Sequence, residues 1–382
     1  MMRRMRVCII GGAAIGSACA LFLKQLGGPQ ADVLVVERDP SYARASSALS
    51  ASSIRQQFSN EVNVRMSQFG LEWVRALDVG FVESGYLFLA SDAGVPVLQH
   101  NHAVQRRCGA PVTLLAPQAL AETLPWMSTE GVALASLGLH GEGWFDGYAF
   151  TQGLKRQAQQ AGARYLRDEV VGLRRSGSSL TAAQLRQGGW LEADVFVNAA
   201  GPWAGPLAAL ADVHLPVHAR RRTVFQLDCP TPLPRTPLVI DTSGVWFRSE
   251  GDGFLAGWSP GHGDDDPDNL PLDPDLQLFE DRLWPALADR VPAFEALRVR
   301  SAWAGYYEVH PLDHNAILGP HPELANFVFA NGFSGHGLQH APAAGRGIAE
   351  LLLHGRYQTL DLSAFAYERV LRQQPFVERS VI

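Results

Sequence analysis

The chain opens with Arg6-Val7-Cys8-Ile9-Ile10-Gly11-Gly12-Ala13-Ala14-Ile15-Gly16, an apolar run that breaks into small residues and then resumes over residues 17–26. It reads as strand, tight turn and helix, which commits the start of the chain to a parallel α/β unit able to take a dinucleotide. The next apolar run, Asp32-Val33-Leu34-Val35-Val36, stops on Glu37. That acid lies about 20 residues beyond the last glycine, the spacing of a carboxylate that holds a ribose. Such a turn needs a first glycine to bend sharply, a middle one so that backbone N–H groups reach a pyrophosphate, and a third to bring helix and strand together. Gly11 and Gly16 fill the outer positions, and Ala13 stands in the middle one. Its methyl is compatible with the approach only if the backbone there stays in an ordinary conformation. FAD and NAD both suit this pattern, and a tight turn with no ligand is the plain alternative.

A chain of 382 residues exceeds one ordinary core, so two domains or one elaborated α/β unit are expected. The net charge of −6, from 32 basic and 38 acidic side chains, offers nothing to nucleic acid. Cys8, Cys19, Cys108 and Cys229 are scattered without metal-binding spacing, so no metal is expected and a reducing cytoplasm fits. Arg3, Arg4 and Arg6 resemble the basic start of a secretory signal, but Gly11, Gly12 and Gly16 interrupt the apolar run behind them. No stretch of about 18 apolar residues exists to span a membrane. A cytoplasmic protein is expected, with contact at the inner face of the membrane left open.

Apolar residues recur at helical spacing over residues 61–77, and strands broken at Gly85 are expected over 81–89. Residues 95–124 mix helical patterns with proline and glycine breaks. A helix over 150–160 and a strand over 164–173 lead to a two-stranded excursion at 179–191. Val195-Phe196-Val197 is another buried strand, running into Asn198-Ala199-Ala200-Gly201. Between 216 and 303 the pattern turns to β-type runs at 222–227, 238–240, 245–248 and 253–257, with an acidic, proline-rich loop at 261–274. Phe327-Val328-Phe329-Ala330 is the last strand, followed by Asn331-Gly332-Phe333-Ser334-Gly335-His336-Gly337 and a helix from Leu338 to about Leu353. A second glycine-rich segment so late in the chain favours the longer, folded-back FAD over NAD.

Five features occur in order: the glycine-rich start, Glu37, the run from Val197 to Trp203, Trp303-Ala304-Gly305, and the segment Gly332 to Gly337. Together they resemble the D-amino acid oxidase (DAO) superfamily of FAD-dependent oxidoreductases, which includes glycine oxidase, sarcosine oxidase and dimethylglycine dehydrogenase. Val36-Glu37-Arg38-Asp39-Pro40, Glu142-Gly143-Trp144-Phe145-Asp146 and Ser301-Ala302-Trp303-Ala304-Gly305-Tyr306-Tyr307 are similar to one branch, that of FAD-dependent oxidoreductase domain-containing protein 1. Mitochondrial members of that branch are linked to respiratory complex assembly.

The resemblance implies an α/β fold with a Rossmann-like FAD-binding domain of the glutathione-reductase type over residues 1–79, 147–214 and 312–382. A second, α+β substrate domain with a mixed sheet is inserted as residues 80–146 and 215–311. It also implies roles. Gly11, Gly12, Ala13, Ala14, Ile15 and Gly16 surround the pyrophosphate, Glu37 holds the adenosine ribose with Arg38 beside it, and Ser46 and Ser47 approach the phosphates and flavin. Past them the family commonly has Gly-Gly where this chain has Ser52-Ser53. Val170 meets the adenine, and Ala199, Ala200, Gly201 and Trp203 pass along the cofactor. Gly305 and the segment Gly332, Phe333, Ser334, Gly335, His336, Gly337 and Leu338 meet the flavin, where helix N-terminal amides stabilise the negative charge of its reduced form.

Residues that relatives carry and this chain lacks point further. No cysteine stands near Tyr306 and Tyr307, and no histidine precedes His100, so FAD is expected to be held non-covalently. Amine-oxidising relatives carry an arginine just after Trp-Ala-Gly that grips the substrate carboxylate. Here Tyr306-Tyr307-Glu308 stands in its place, leaving Arg55 or Arg248 to bind such a group. The oxygen-activating lysine of sarcosine-type oxidases has no counterpart at 253–257, because Lys24 and Lys155 are the only lysines. A dehydrogenase that passes electrons to a quinone or a carrier protein is therefore expected, with an oxidase as the second reading. Tyr307, His336 and His310 are the polar residues expected near the reaction, with Asp313 and His314 nearby and Trp144 and Phe145 walling an apolar pocket. The expected reaction is oxidation of a small amine or an N-methyl or secondary amino acid. Hydride passes to flavin N5 and leaves an imine that water hydrolyses. A flavoprotein with a mainly protein-binding, assembly role and a 2-hydroxy acid dehydrogenase are the alternatives. The second needs a base, for which His310, His314 or His336 would serve.

Overall fold

The structure, a computed structural model, describes residues 4–261 and 264–379. Arg3 of the basic start, residues 262–263 of the acidic loop and residues 380–382 lie outside the described ones. Two large sheets organise the chain. The first has six strands: β1 (Met5–Ile10), β2 (Ala31–Glu37), β3 (Arg164–Arg167), β4 (Val195–Asn198), β5 (Ile317–His321) and β6 (Leu324–Asn331). Their order is β5-β6-β4-β1-β2-β3, all parallel except the β5–β6 hairpin. Val7, Ile9, Val33, Val35, Val197 and Val328 are buried in one core, while Cys8, Ile10, Val36, Phe196, Phe327 and Phe329 belong to another. A sheet covered on both faces explains why these strands read as continuous apolar runs.

Helix α1 (Ala14–Gly27) follows β1, and helix α2 (Gly337–His354) follows β6. They cross where both carry small side chains: a Cβ on Gly345 would lie 2.5 Å from the Ala18 carbonyl carbon. α2 contains Pro342 without ending there.

The second sheet has eight strands, in the order Arg298–Val309, His218–Asp228, Gly253–Trp258, Val245–Glu250, Leu238–Ile240, Tyr86–Ala90, Leu134–Gly138, Val112–Leu115. It is mixed, with Leu238–Ile240 parallel to Tyr86–Ala90 and its other pairs antiparallel. The chain thus has a Rossmann-like unit interrupted by a second, mixed-sheet unit.

Three expectations change. The single strand at 164–173 is two, β3 and Val170–Ser176, because the Asp168 carboxylate accepts the amides of Glu169 at 2.8 Å and Gln187 at 3.2 Å and turns the chain. Of the strands expected over 81–89 with a break at Gly85, the second is Tyr86–Ala90, after Gly85 at φ 90°, and the first shrinks to a bridge from Val82 to Trp144. Trp303-Ala304-Gly305, noted only as a motif, lies within the 12-residue strand Arg298–Val309, which pairs along His218–Asp228.

Candidate functional site

A cavity of about 460 Å³ lies at the C-terminal ends of β1, β2 and β4 and reaches the strand Arg298–Val309, the crevice where open parallel sheets bind ligands. The turn after β1 forms one end. Gly11 has φ 100°, its N–H donates to the Val36 carbonyl at 2.9 Å, and a Cβ there would sit 2.3 Å from the Ala199 carbonyl oxygen. A Cβ on Gly16 would meet the Gly11 carbonyl oxygen at 1.9 Å, so Gly16 closes helix onto turn and does not line the cavity. Ala13 takes φ −71° in extended backbone, where its methyl carries no strain. The Glu37 carboxylate accepts the Gly12 amide at 2.7 Å and the Asp39 amide at 2.8 Å. Burial raises its pKa, and those two amides oppose the rise.

Along the cavity, Arg38 lies 3.7 Å over the Trp203 ring and 4.0 Å from Glu169. The four-residue helix Ser46–Leu49 lines the facing side, and the Ser46 and Ser47 hydroxyls are buried without a partner. Val170, Ala199, Ala200 and Gly201 line it too. Orphaned hydroxyls, a carboxylate beside the glycine turn and a long cleft suit a dinucleotide, whose phosphates and ribose would satisfy them.

At the far end Gly305, Tyr306, Tyr307, Glu308, Gly335, Gly337 and Leu338 line the cavity. A Cβ on Gly335 would lie 2.4 Å from the Tyr307 ring. Glu308 is buried, its Oε2 has no partner and is 3.8 Å from where a Gly201 Cβ would be. Burial pushes its carboxyl up to about 7 against the amides of Gly332 and Phe333.

Several expected residues sit elsewhere. Phe333 is fully buried in the core, and Gly332, Ser334 and His336 do not line the cavity. The Ser334 hydroxyl instead accepts the His310 amide at 3.0 Å. His336 packs its ring at 5.4 Å from Phe58 and 5.0 Å from His340; burial holds its pKa far below the ordinary value. His310 is locked by Asp313 at 2.9 Å and the Asn315 carbonyl at 3.0 Å, beside Arg369. That makes it part of a buried ion-pair knot. Arg55 is buried, with Cζ 4.0 Å from the Phe58 ring and a bond to the Gln57 carbonyl. Arg248 is held by Glu250 and the Ala51 carbonyl and lies 4.6 Å over Trp144. Neither arginine lines the cavity, and neither do Trp144 and Phe145. Phe145 packs on Phe150 in the core.

Sequence reasoning gave no role to Glu308, Arg222, Tyr42 or Arg44, all of which line the cavity. An arginine at the head of an apolar β run and a glutamate within Tyr-Tyr-Glu-Val were the available signals, since charged residues in such runs need a reason. Among the described residues no group of three or more His, Cys, Asp or Glu could hold a metal, and no helix is long and apolar enough to cross a membrane.

The glycine turn, the acid at the end of β2 and a cleft closed by a second sheet define a two-part, dinucleotide-dependent oxidoreductase. The chain belongs to the DAO family of FAD-dependent oxidoreductases, whose profile matches residues 6–351. It is 43% identical over 412 residues to FAD-dependent oxidoreductase domain-containing protein 1 of Bos taurus, covering 96% of this chain and 85% of that one. It is 25% identical to the mitochondrial sarcosine dehydrogenase of Homo sapiens over 92% of this chain and 40% of that protein. The crystal structure of L-proline dehydrogenase from P. horikoshii superposes with a TM-score of 0.86 at 26% identity, covering 98% of this chain and all of that one. FAD is the family's cofactor.

Proposed function

We propose that this chain oxidises a small amine, most readily an N-methyl or secondary amino acid, and passes the electrons to a quinone or carrier protein. FAD, when bound, takes up the hydride removed from the carbon next to nitrogen. The chain's own contribution is to hold cofactor and substrate in line and keep water out. In this reading Glu37 holds the adenosine ribose, Gly11 and Ala13 to Ile15 receive the pyrophosphate while Gly12 and Gly16, which do not line the cavity, shape the turn, and the Ser46 and Ser47 hydroxyls bond the phosphates or flavin. Val170 meets the adenine, and Ala199 to Gly201 pass along the cofactor. Tyr307 and Glu308 lie where substrate meets flavin.

The observation that carries it is the character of the far end. Among the described residues that line the cavity there is no histidine. A neutral amine can lose hydride without a general base; a 2-hydroxy acid needs one, and on this lining the Glu308 carboxyl would have to serve. Support for the acceptor comes from lysine: Lys24 is spent on the carbonyls of Gly28 and Ala31 at 2.9 and 2.8 Å, and Lys155 sits over the rings of Tyr42 and Tyr165. Neither lines the cavity, which supports a dehydrogenase over an oxidase.

The test is anaerobic mixing of the FAD-loaded protein with sarcosine, proline, D-amino acids and 2-hydroxyglutarate while the visible flavin band is followed. Bleaching by an amine supports the reading, and slow recolouring in air supports the dehydrogenase. Bleaching by 2-hydroxyglutarate alone overturns it, and bleaching by none shifts the role to protein binding. We further infer non-covalent FAD, a cytoplasmic location, supported by four free cysteines, and domain boundaries at 79/80, 146/147, 214/215 and 311/312.

A further inference from the structure

Among the described residues, four arginines line the cavity: Arg38, Arg44, Arg186 and Arg222. Arg38 and Arg186 gather round Glu169, at 4.0 and 2.6 Å, and Arg44 shares the Trp203 ring with Arg38. Arg222 is at the opposite end, with its guanidinium 5.3 Å from the Tyr307 ring. The pairing of Arg222 with Gly305 and of Arg220 with Tyr307 puts Arg222 and Tyr307 on one face of the sheet.

What holds Arg222 is a carboxylate. Asp266 meets it fork to fork, Nη1 to Oδ1 at 2.7 Å and Nη2 to Oδ2 at 2.8 Å. The Arg222 Nε is buried without a partner. Asp266 belongs to the acidic loop, which runs beside the start of strand His218–Asp228, ahead of that strand's pairing with Gly253–Trp258 at Val224, and bridges Arg220 to Asp268. There Arg220 bonds the Asp266 carbonyl, His218 bonds Asp268 at 2.8 Å, and Arg221 bonds the Asp273 carbonyl at 3.0 Å. The loop is thus latched at several points, and Asp266 is its carboxylate on the cavity-lining cation. His314, whose Nδ1 is also buried without a partner, feels the opposite charges of Arg222 and Asp266.

We propose that Arg222 is the cation that selects a carboxylate-bearing substrate, and that Asp266 is a resident competitor whose place on the guanidinium the substrate's carboxylate takes. The choice of an amino acid over a plain amine rests on the proposed amine oxidation; the binding step does not. Exchanging one bidentate carboxylate for another conserves the charge-assisted bonds, whereas a neutral amine cannot displace Asp266. The competitor lowers apparent affinity by the fraction of time it holds the arginine. Selectivity is thereby bought with affinity.

The test uses the FAD-loaded protein and 2-furoate, a carboxylate with no amine to oxidise, titrated by its perturbation of the visible flavin band. Arg222→Gln weakens binding by about ten-fold or more, as loss of a charge-assisted pair requires. Asp266→Asn strengthens it about three-fold or more, because the competitor is gone. An Asp266 that merely positions Arg222 gives the opposite sign. The assignment is overturned if furoate does not bind the parent, if Arg222→Gln leaves affinity within about two-fold, or if Asp266→Asn weakens binding. Should Arg222→Gln fail to retain FAD, the sign for Asp266→Asn decides. Arg222-dependent furoate binding with no amine able to bleach the flavin removes the amine reading and leaves this assignment. Bleaching by proline at equal rates and half-saturating concentrations in parent and both variants does the reverse.

Discussion

Gly335 and Tyr307 occupy one another's space so closely that no side chain fits between them. Gly335→Ala adds a methyl 2.4 Å from the Tyr307 ring at φ 98°, and we expect FAD affinity to fall about ten-fold or more, read from fluorescence quenching on reconstitution. Glu308 predicts a pH effect. Its carboxyl is raised from 4.5 to about 7 in the fold, so the folded state keeps the proton longer than the unfolded chain does. Stability contributed by that proton is present below the unfolded value and lost as pH rises through the folded one. Glu308→Gln has no proton to lose, so the FAD-free variant should gain on the parent at pH 8, by at most about 3 kcal/mol, and not at about pH 4. Equal melting-temperature differences at both pH values would contradict this. The sequence revealed the glycines of this site because a positive φ or a close approach is a local demand. Arg222 and Asp266 were hidden because their pairing depends on a loop returning across a strand 44 residues away.

At the scale of elements, the turn after strand Arg298–Val309 is tied to the short helix Glu368–Leu371 by a buried knot. Arg369 Nε bonds Asp313 at 2.7 Å, and His310 bonds the same carboxylate from the other side. Burial opposes ionisation of Asp313, yet bonds from His310 and Arg369 hold its pKa well below the usual range. Its stabilising contribution is complete above the ordinary value of 3.8 and fades as pH falls below it. Asp313→Asn should cost about 3–5 kcal/mol in urea unfolding at pH 7, because Arg369 is left buried without its counter-charge. The difference should narrow at about pH 3; an unchanged difference there would show that the cost is steric. This knot also explains why His310 looked catalytic in the sequence. A histidine beside a flavin motif and one beside a structural aspartate read alike until the partner, 59 residues away, is placed. Buried parallel strands were legible throughout, since an apolar run needs no context, whereas the break at Asp168 depended on one side chain capturing two amides.

For the whole molecule, the order of motifs along the chain was enough to give the architecture, because each nucleotide-binding segment ends a strand of one sheet. What the order could not give was which side chains the second sheet turns toward the cleft. Acid precipitation should leave the yellow colour in the supernatant, and the melting temperature should climb with added FAD, as mass action on a site present only in the folded state requires. A coloured pellet would mean a covalent bond. The position of β6 between β5 and β4 has one more consequence. The sheet lacks an interior strand until residue 331 has been made, and α2, whose first residues wall the cavity, comes later still. On the ribosome the early glycine turn therefore waits for β6 and for the helix that Gly337 opens. A chain cut short before Gly337 should fail to hold FAD, because Gly337 and Leu338 wall the cavity.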